Sequence, residues 1–246
     1  MGTLDGKVVL VTGASRGIGY AAALEAGRRG AHVIAVARTI GGLEELDDAI
    51  KALGSDTTLV PLDLRDFEAI DRLGKAIFDR WGHLDGLVGN AGIAGTLSPV
   101  GHIDPKDFTS ALDLNVTANF RLIRSMDLLL RQAEAGRALF ISSGIVAASV
   151  PYFATYTTSK MALDGLVRVY AAEMANTKVR VNTFNPGPLR TALRAKAMPG
   201  EDPKTLQPPS VVAPKIIDMI SPEFTDNGML FDWDFGASRP IGTSPS

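Results

Sequence analysis

The stretch Thr12-Gly13-Ala14-Ser15-Arg16-Gly17-Ile18-Gly19 joins a β-branched run at 7–12 to a segment with helical spacing at 17–29. Glycines at a strand-to-helix junction let the backbone turn sharply and approach a pyrophosphate, whose charge the N–H groups and dipole of the helix start then hold. A glycine triplet alone also serves ordinary turns, so its position between strand and helix is what gives it meaning. Outward from the turn, β-branched runs and helical segments alternate. Strands are predicted at 7–12, 32–37, 58–62, 86–90, 137–142, 179–185 and 229–232, and helices at 17–29, 42–53, 66–80, 107–132, 156–175 and 209–220. This alternation predicts one doubly wound α/β domain over residues 1–246, a mainly parallel seven-stranded sheet with helices on both faces. Its chemistry is expected outside the carboxyl ends of the strands.

Composition narrows the function. Of the 246 residues, 46% are hydrophobic and 21% charged, enough apolar material to bury a sheet between helices. The formal net charge of −2 gives no basic footprint, so no nucleic-acid partner is expected. Cysteine is absent, which removes disulfides, thiolate metal sites and cysteine nucleophiles. His32, His83 and His102 lie far apart without ligand spacing, and no metal is expected. The segment Met1-Gly-Thr-Leu-Asp-Gly-Lys7 has no signal-peptide core, and the apolar runs fall below the ~18 residues of a membrane helix. A cytoplasmic protein is expected. The Pro- and Gly-bearing stretch at about 188–210 is predicted to be a substrate lid, and the small polar tail at 242–246 to be frayed.

Three residues separate Gly13 from Gly17 and one separates Gly17 from Gly19, a departure from the common dinucleotide fingerprint. With Thr12, this spacing resembles the classical short-chain dehydrogenase/reductase family. Further family stations follow in order: Asp63-Leu64, Asn90-Ala91-Gly92, Ser142-Ser143, Tyr156-x-x-x-Lys160 and Asn185-Pro186-Gly187. The resemblance spans roughly residues 4–220 and implies a Rossmann fold carrying a nicotinamide-dependent carbonyl/alcohol oxidoreductase. It also implies a homodimer or homotetramer, although Asn227–Asp234 departs from the family's usual Val-Asp-Gly-Gly segment.

Cofactor choice is expected at the end of the second strand, where an acid would bind the adenosine ribose and a base would accept a 2′-phosphate. Here the strand ends Ala37-Arg38-Thr39, with no acid. Arg38 and Arg16 occupy the family's two phosphate stations, so NADP(H) is expected over NAD(H). The resemblance further assigns Gly13, Ser15, Gly17, Ile18 and Gly19 to the pyrophosphate end. It gives Asp63 to the adenine amine with Leu64 beside the ring, and Asn90, Ala91 and Gly92 to the cofactor's flank. Asp63 read alone is equally a helix-start residue. Pro186, Gly187 and Thr191 are expected at the nicotinamide end.

Tyr156 and Lys160 stand one helical turn apart on one face. A phenol's reference pKa of about 10 makes it a poor base at neutral pH, and a nearby ammonium favours its ionised form. Lys160 can therefore prepare Tyr156 to exchange a proton with a carbonyl or alcohol oxygen, while also holding the nicotinamide ribose by family resemblance. Ser143, at the family spacing, can hydrogen-bond that oxygen; Ser142 is the neighbouring alternative. Asn115 matches the family's helix asparagine, which holds a water linked to the lysine, and read alone it is equally a kink or packing residue. Tyr152 is a phenol without a lysine one turn later and reads as pocket wall or packing. The substrate is expected to be a small carbonyl or secondary alcohol, with a 3-oxoacyl thioester reductase and a broad carbonyl reductase both open. A non-catalytic NADP(H)-binding regulatory protein and an NAD-preferring alcohol dehydrogenase are the alternatives.

Overall fold

The computed structural model describes residues 2–243. The β-branched runs form β1 (Val8–Thr12), β2 (His32–Ala37), β3 (Thr57–Pro61), β4 (Gly86–Gly89), β5 (Arg137–Ile141), β6 (Arg180–Asn185) and β7 (Met229–Asp232). All seven are parallel, and with β8 (Ala237–Pro240) they lie in the order β3-β2-β1-β4-β5-β6-β7-β8. The order reverses between β1 and β4, which opens a crevice at the carboxyl ends of those two strands. The expected seven strands are thus eight. β8 runs antiparallel to β7 at the sheet edge, and its Ala-Ser-Arg-Pro sequence carries no β-branched alternation to announce it. Proline at such an edge also discourages further pairing.

Alternation along each strand splits the core in two. Val8 and Leu10 of β1 point toward α3 (Phe67–Trp81), α5 (Ala118–Gln132) and α6 (Ala154–Met174). Val9 and Val11 point toward α1 (Gly17–Arg28), α2 (Ile40–Lys51) and α8 (Ala213–Asp218). The small face of α1, with Gly19, Ala22, Ala23, Ala26 and Gly27 buried, lets that helix lie close to the sheet. Helix α3 starts where Asp66 accepts the Ala69 N–H at 3.0 Å and stops at Gly82, which is left-handed with φ 71°.

The predicted helix at 107–132 is a path of three parts: α4 (Pro105–Leu112), a π turn at Asp113–Thr117, and α5. The predicted lid is ordered rather than irregular. Leu189 pairs with Gln207, and α7 (Ala192–Ala197) is capped by Thr191, whose Oγ1 accepts the Arg194 N–H at 3.1 Å. Arg194 grips Glu201 through two hydrogen bonds of 2.6 and 2.7 Å, contacts that no hydrophobic periodicity could signal. The predicted helix at 209–220 shortens to α8 after a 3-10 turn at Pro209–Val211, with Pro214 in its first turn. At the predicted tail, the Thr243 N–H donates to Pro240 at 3.2 Å, while 244–246 lie outside the described residues. Among the described residues no helix is long and apolar enough to cross a membrane, and no group of acidic and histidine side chains could hold a metal ion.

Phe140 on β5 is fully buried in the α5/α6 half of the core. Phe140→Ala is expected to destabilise the fold by about 3–5 kcal/mol in urea unfolding with an unchanged denaturant slope. A loss below about 1 kcal/mol would contradict this packing.

Candidate active site

The glycine turn is fixed from the neighbouring strand. Thr12, buried at the end of β1, donates from its hydroxyl to Val88 O at 3.3 Å and accepts the N–H groups of Asn90 at 2.9 Å and Ala91 at 3.1 Å. Asn90 returns its side-chain amide to Thr12 O at 2.8 Å. The turn itself requires glycine: Gly13 has φ 67°, and a side chain on Gly19 would collide with the Gly13 carbonyl oxygen. Gly17, Ile18 and Gly19 form the first turn of α1, and that helix start has no side-chain cap and no acid near it. Its free N–H groups and positive dipole end fit a pyrophosphate. Thr191 faces Gly17 across the crevice, so the start of α7 lies beside the turn.

Of the residues expected near the adenosine phosphates, Arg16 and Arg38 are exposed and Ser15 is half-buried. Asp63 is not a free acceptor. Arg65 binds it from Nε at 3.1 Å and Nη2 at 2.6 Å, the Arg65 N–H adds a third bond at 3.0 Å, and Arg38 approaches to 4.0 Å. The hydrogen bonds from Arg65 hold the Asp63 carboxyl down to about 2 against the desolvation that opposes them. Leu64 turns its side chain into the core. The helix-start role belongs to Asp66, so Asp63 is not a cap.

The π turn brings Asn115 inward, fully buried. Its Oδ1 accepts the Ile93 N–H at 2.9 Å, and its Nδ2 donates to Ile93 O and to Ser159 Oγ, each at 2.8 Å. Ser159 in turn donates to Tyr156 O at 2.8 Å. Asn115 therefore ties the Asn90-Ala91-Gly92 loop to the helix that carries Tyr156 and Lys160. Its own carbonyl accepts the Asn119 amide at 2.8 Å. Asn115 thus sits in the expected kink and packs there through its amide.

Lys160 is buried, and its Nζ donates to Ile141 O at 2.6 Å while standing 5.8 Å from the centre of the Tyr156 ring. Burial pushes its ammonium down to about 8, opposed by the carboxylate of Asp164 one turn further along. Tyr156 is half-buried; desolvation pushes its phenol above the usual range, and the nearby Ser143 hydroxyl pulls the other way. Ser143 caps the short turn Gly144–Ala147 by accepting the Ile145 N–H at 3.3 Å. Ser142 is buried toward Asp164 instead, which separates the two serines. Asn185 links this region to the Pro186-Gly187 turn, since its Oδ1 accepts N–H groups from Gly144 at 2.8 Å and Gly187 at 3.2 Å. Ser143, Tyr156, Lys160, Gly92 and Gly187 thus converge at the carboxyl edge of β4, β5 and β6. Tyr152 lies apart, 60% exposed with φ 72°, on the wall of a cavity of about 480 Å³ shared with Val146, Val150 and Met161.

A short chain dehydrogenase profile matches residues 7–202. The uncharacterized oxidoreductase YciK of Escherichia coli K12 is 34% identical over 233 residues, 93% of this chain and 92% of that one. The chain belongs to the short-chain dehydrogenase/reductase family. It is an oxidoreductase of that family, with the NAD(P)-binding fold the family uses. A fatty acyl-CoA reductase of Acinetobacter baylyi is 35% identical over 193 residues, 78% of this chain and 65% of that enzyme. A short chain dehydrogenase of Shigella flexneri 2a strain 301 in complex with NADP superposes with a TM-score of 0.89 at 34% identity, covering 94% of this chain and 98% of that one.

Thr12 and Asn185 stand in the motifs without an assigned role and position backbone around the crevice; the motifs do not reach Ser159, which also positions backbone, or Arg65 and Asp164, which face charges. The first two carry a sequence signal, a polar residue closing an apolar strand. For Lys160, an ammonium that loses its proton near 8 leaves the folded protein holding fewer protons than the unfolded chain up to about 10.5. This group's contribution to stability therefore rises with pH across that window. The Lys160 side-chain resonance, assigned with Lys160→Met, is expected to titrate near 8 in the cofactor-free protein; titration above 10 would contradict its desolvation.

Proposed function

We propose that this protein is an NADP(H)-dependent carbonyl reductase or alcohol dehydrogenase, with Tyr156 as proton donor and acceptor. The observation that carries this is the buried Lys160 ammonium beside the half-buried Tyr156 phenol, with Ser143 on the facing strand end. The uncapped start of α1, the glycine turn and Asn90 would hold the pyrophosphate. Arg16 and Arg38 would meet a 2′-phosphate, while Pro186, Gly187 and Thr191 would flank the nicotinamide ring. When bound, the nicotinamide supplies or accepts the hydride at the substrate carbon.

In the reduction direction, Tyr156 gives its phenolic proton to the carbonyl oxygen as that oxygen gains negative charge, and Ser143 donates a hydrogen bond to the same atom. Lys160 stabilises the phenolate left on Tyr156 by its charge and would hold the nicotinamide ribose. Asn115 keeps the Gly92 loop and α6 in register, so that these groups share one face of the crevice. Oxidation of an alcohol reverses each transfer. The NADP complex of the Shigella protein supports NADP(H) over NAD(H), as does the absence of an acid after β2. The fatty acyl-CoA reductase relative supports including 3-oxoacyl thioesters among the candidate substrates alongside simple ketones.

The purified protein is expected to consume NADPH with members of a ketone and 3-oxoacyl thioester panel faster than NADH. Tyr156→Phe is expected to lower turnover by about 10²–10⁴-fold while nucleotide affinity stays unchanged. Turnover that survives this substitution would assign the proton transfer elsewhere or leave the chain a nucleotide-binding regulator.

A second copy of the chain is proposed to cover α5 and α6, whose outer faces expose Phe120 (46%), Leu128 (56%), Met161 (54%) and Val169 (56%). Light scattering is expected to give a dimer or tetramer at micromolar concentration, and a monomer would refute this pairing.

A further inference from the structure

Arg65 spends its guanidinium on an exposed loop. Its pair with Asp63 is two-pronged, with both partners 38–39% exposed, and exposed pairs contribute little to folding stability. The pair lies between β3 and α3, on the adenosine side of the crevice, and Arg38 stands 4.0 Å from the same carboxylate. Arg65 also reaches Ser110 Oγ at 3.3 Å on α4, with the Asp113 carboxylate acting on it from that side. Without Arg65, the Asp63 carboxylate would be left to Arg38 and would draw that charge away from the proposed 2′-phosphate.

We propose that Arg65 is a specificity-determining residue for the nucleotide: it cancels the Asp63 charge, so that Arg16 and Arg38 leave the adenosine end net positive and selective for a 2′-phosphate. This inference rests on the NADP(H) reading. The geometry gives Arg65 a role distinct from that of Arg16 and Arg38. With Nε and the backbone N–H both on Oδ1, and Nη2 on Oδ2, the guanidinium is committed to the carboxylate and acts on a phosphate through the charge it removes. Oδ2 keeps a lone pair for a neutral donor such as an exocyclic adenine amine, so the same pairing lets Asp63 accept a hydrogen bond without repelling the phosphate. The Arg65 hydrogen bonds hold the Asp63 carboxyl down to about 2, the electrostatic mark of that pairing.

The test is calorimetric binding of NADP⁺ and NAD⁺ to the wild-type protein, Arg65→Gln, Asp63→Asn and the double variant, with no turnover involved. Arg65→Gln is expected to weaken NADP⁺ by roughly tenfold, as the phosphate then meets an uncancelled carboxylate, and to leave NAD⁺ within about twofold. The loss should shrink as salt rises from about 0.01 to 1 M and the screening length falls from about 30 to 3 Å. The double variant should recover the NADP⁺/NAD⁺ ratio, because the charge to be cancelled is gone. Equal weakening of both nucleotides, or a double variant as unselective as Arg65→Gln, overturns the inference. If Arg65→Gln does not fold, Asp63→Asn alone decides: its ratio must equal or exceed that of wild type, and a fall overturns the proposal. A wild-type protein that binds NAD⁺ as tightly as NADP⁺ overturns the NADP(H) reading and this inference with it. A wild-type preference that Arg65→Gln leaves intact overturns the inference alone.

Discussion

The hydrogen bonds between Thr12 and the Asn90-Ala91 backbone join the ends of two strands that are far apart in sequence and adjacent in the sheet. They sit where the strand order reverses, the one place where neighbouring crossovers leave on opposite faces and a crevice must open. The glycine turn can be thin and free of side chains because this clamp, rather than packing, holds it. Thr12 is fully buried, so breaking these bonds would strand its hydroxyl away from water, a cost larger than a bond's own net worth. The start of α1 and the loop after β4 both take their positions from this junction.

A second constraint is electrostatic. Helix α6 carries Lys160 and Asp164 into the space between helix and sheet, where charges are expensive unless compensated. Burial lowers the lysine and raises the aspartate, and each opposes the other's shift. Arg239 on β8 acts on Asp164 from below and binds Asp232 at 3.0 Å, so the added edge strand completes a row of alternating charges beneath the candidate proton-transfer pair. A lysine poised near 8 is a product of that balance and not of its local sequence.

The parts legible in the sequence were those encoded by short-range periodicity or by fixed spacing. The parallel strands announce themselves by β-branched runs, Tyr156 and Lys160 by their one-turn separation, and the glycine turn by the sharp change of period around it. β8 escaped because four residues of mixed character at an edge bury too little to need a pattern. The lid was read as irregular because its order comes from Arg194–Glu201 and Leu189–Gln207, pairings of polar and backbone groups with no period. Asp164 looks like an ordinary surface acid on a helix until the sheet lies over it. That Arg65, two residues away, already holds Asp63 shows only in side-chain geometry.

The π turn around Asn115 also acts as a phase shifter. Ala111 and Leu130 are both buried, nineteen positions apart, whereas five ideal turns take about 18. In an unbroken α-helix one additional residue would rotate everything after it by about 100° about the axis, and the wide turn absorbs that residue instead. Asn115 can therefore point at the Gly92 loop and α6 while α5 still lays its leucines against the core. Length, and not only composition, is specified at this turn: a one-residue deletion within 113–117 would leave Ala111 and Leu130 five ideal turns apart, with α5 still facing the core, but would remove the bulge that aims Asn115 at the Gly92 loop.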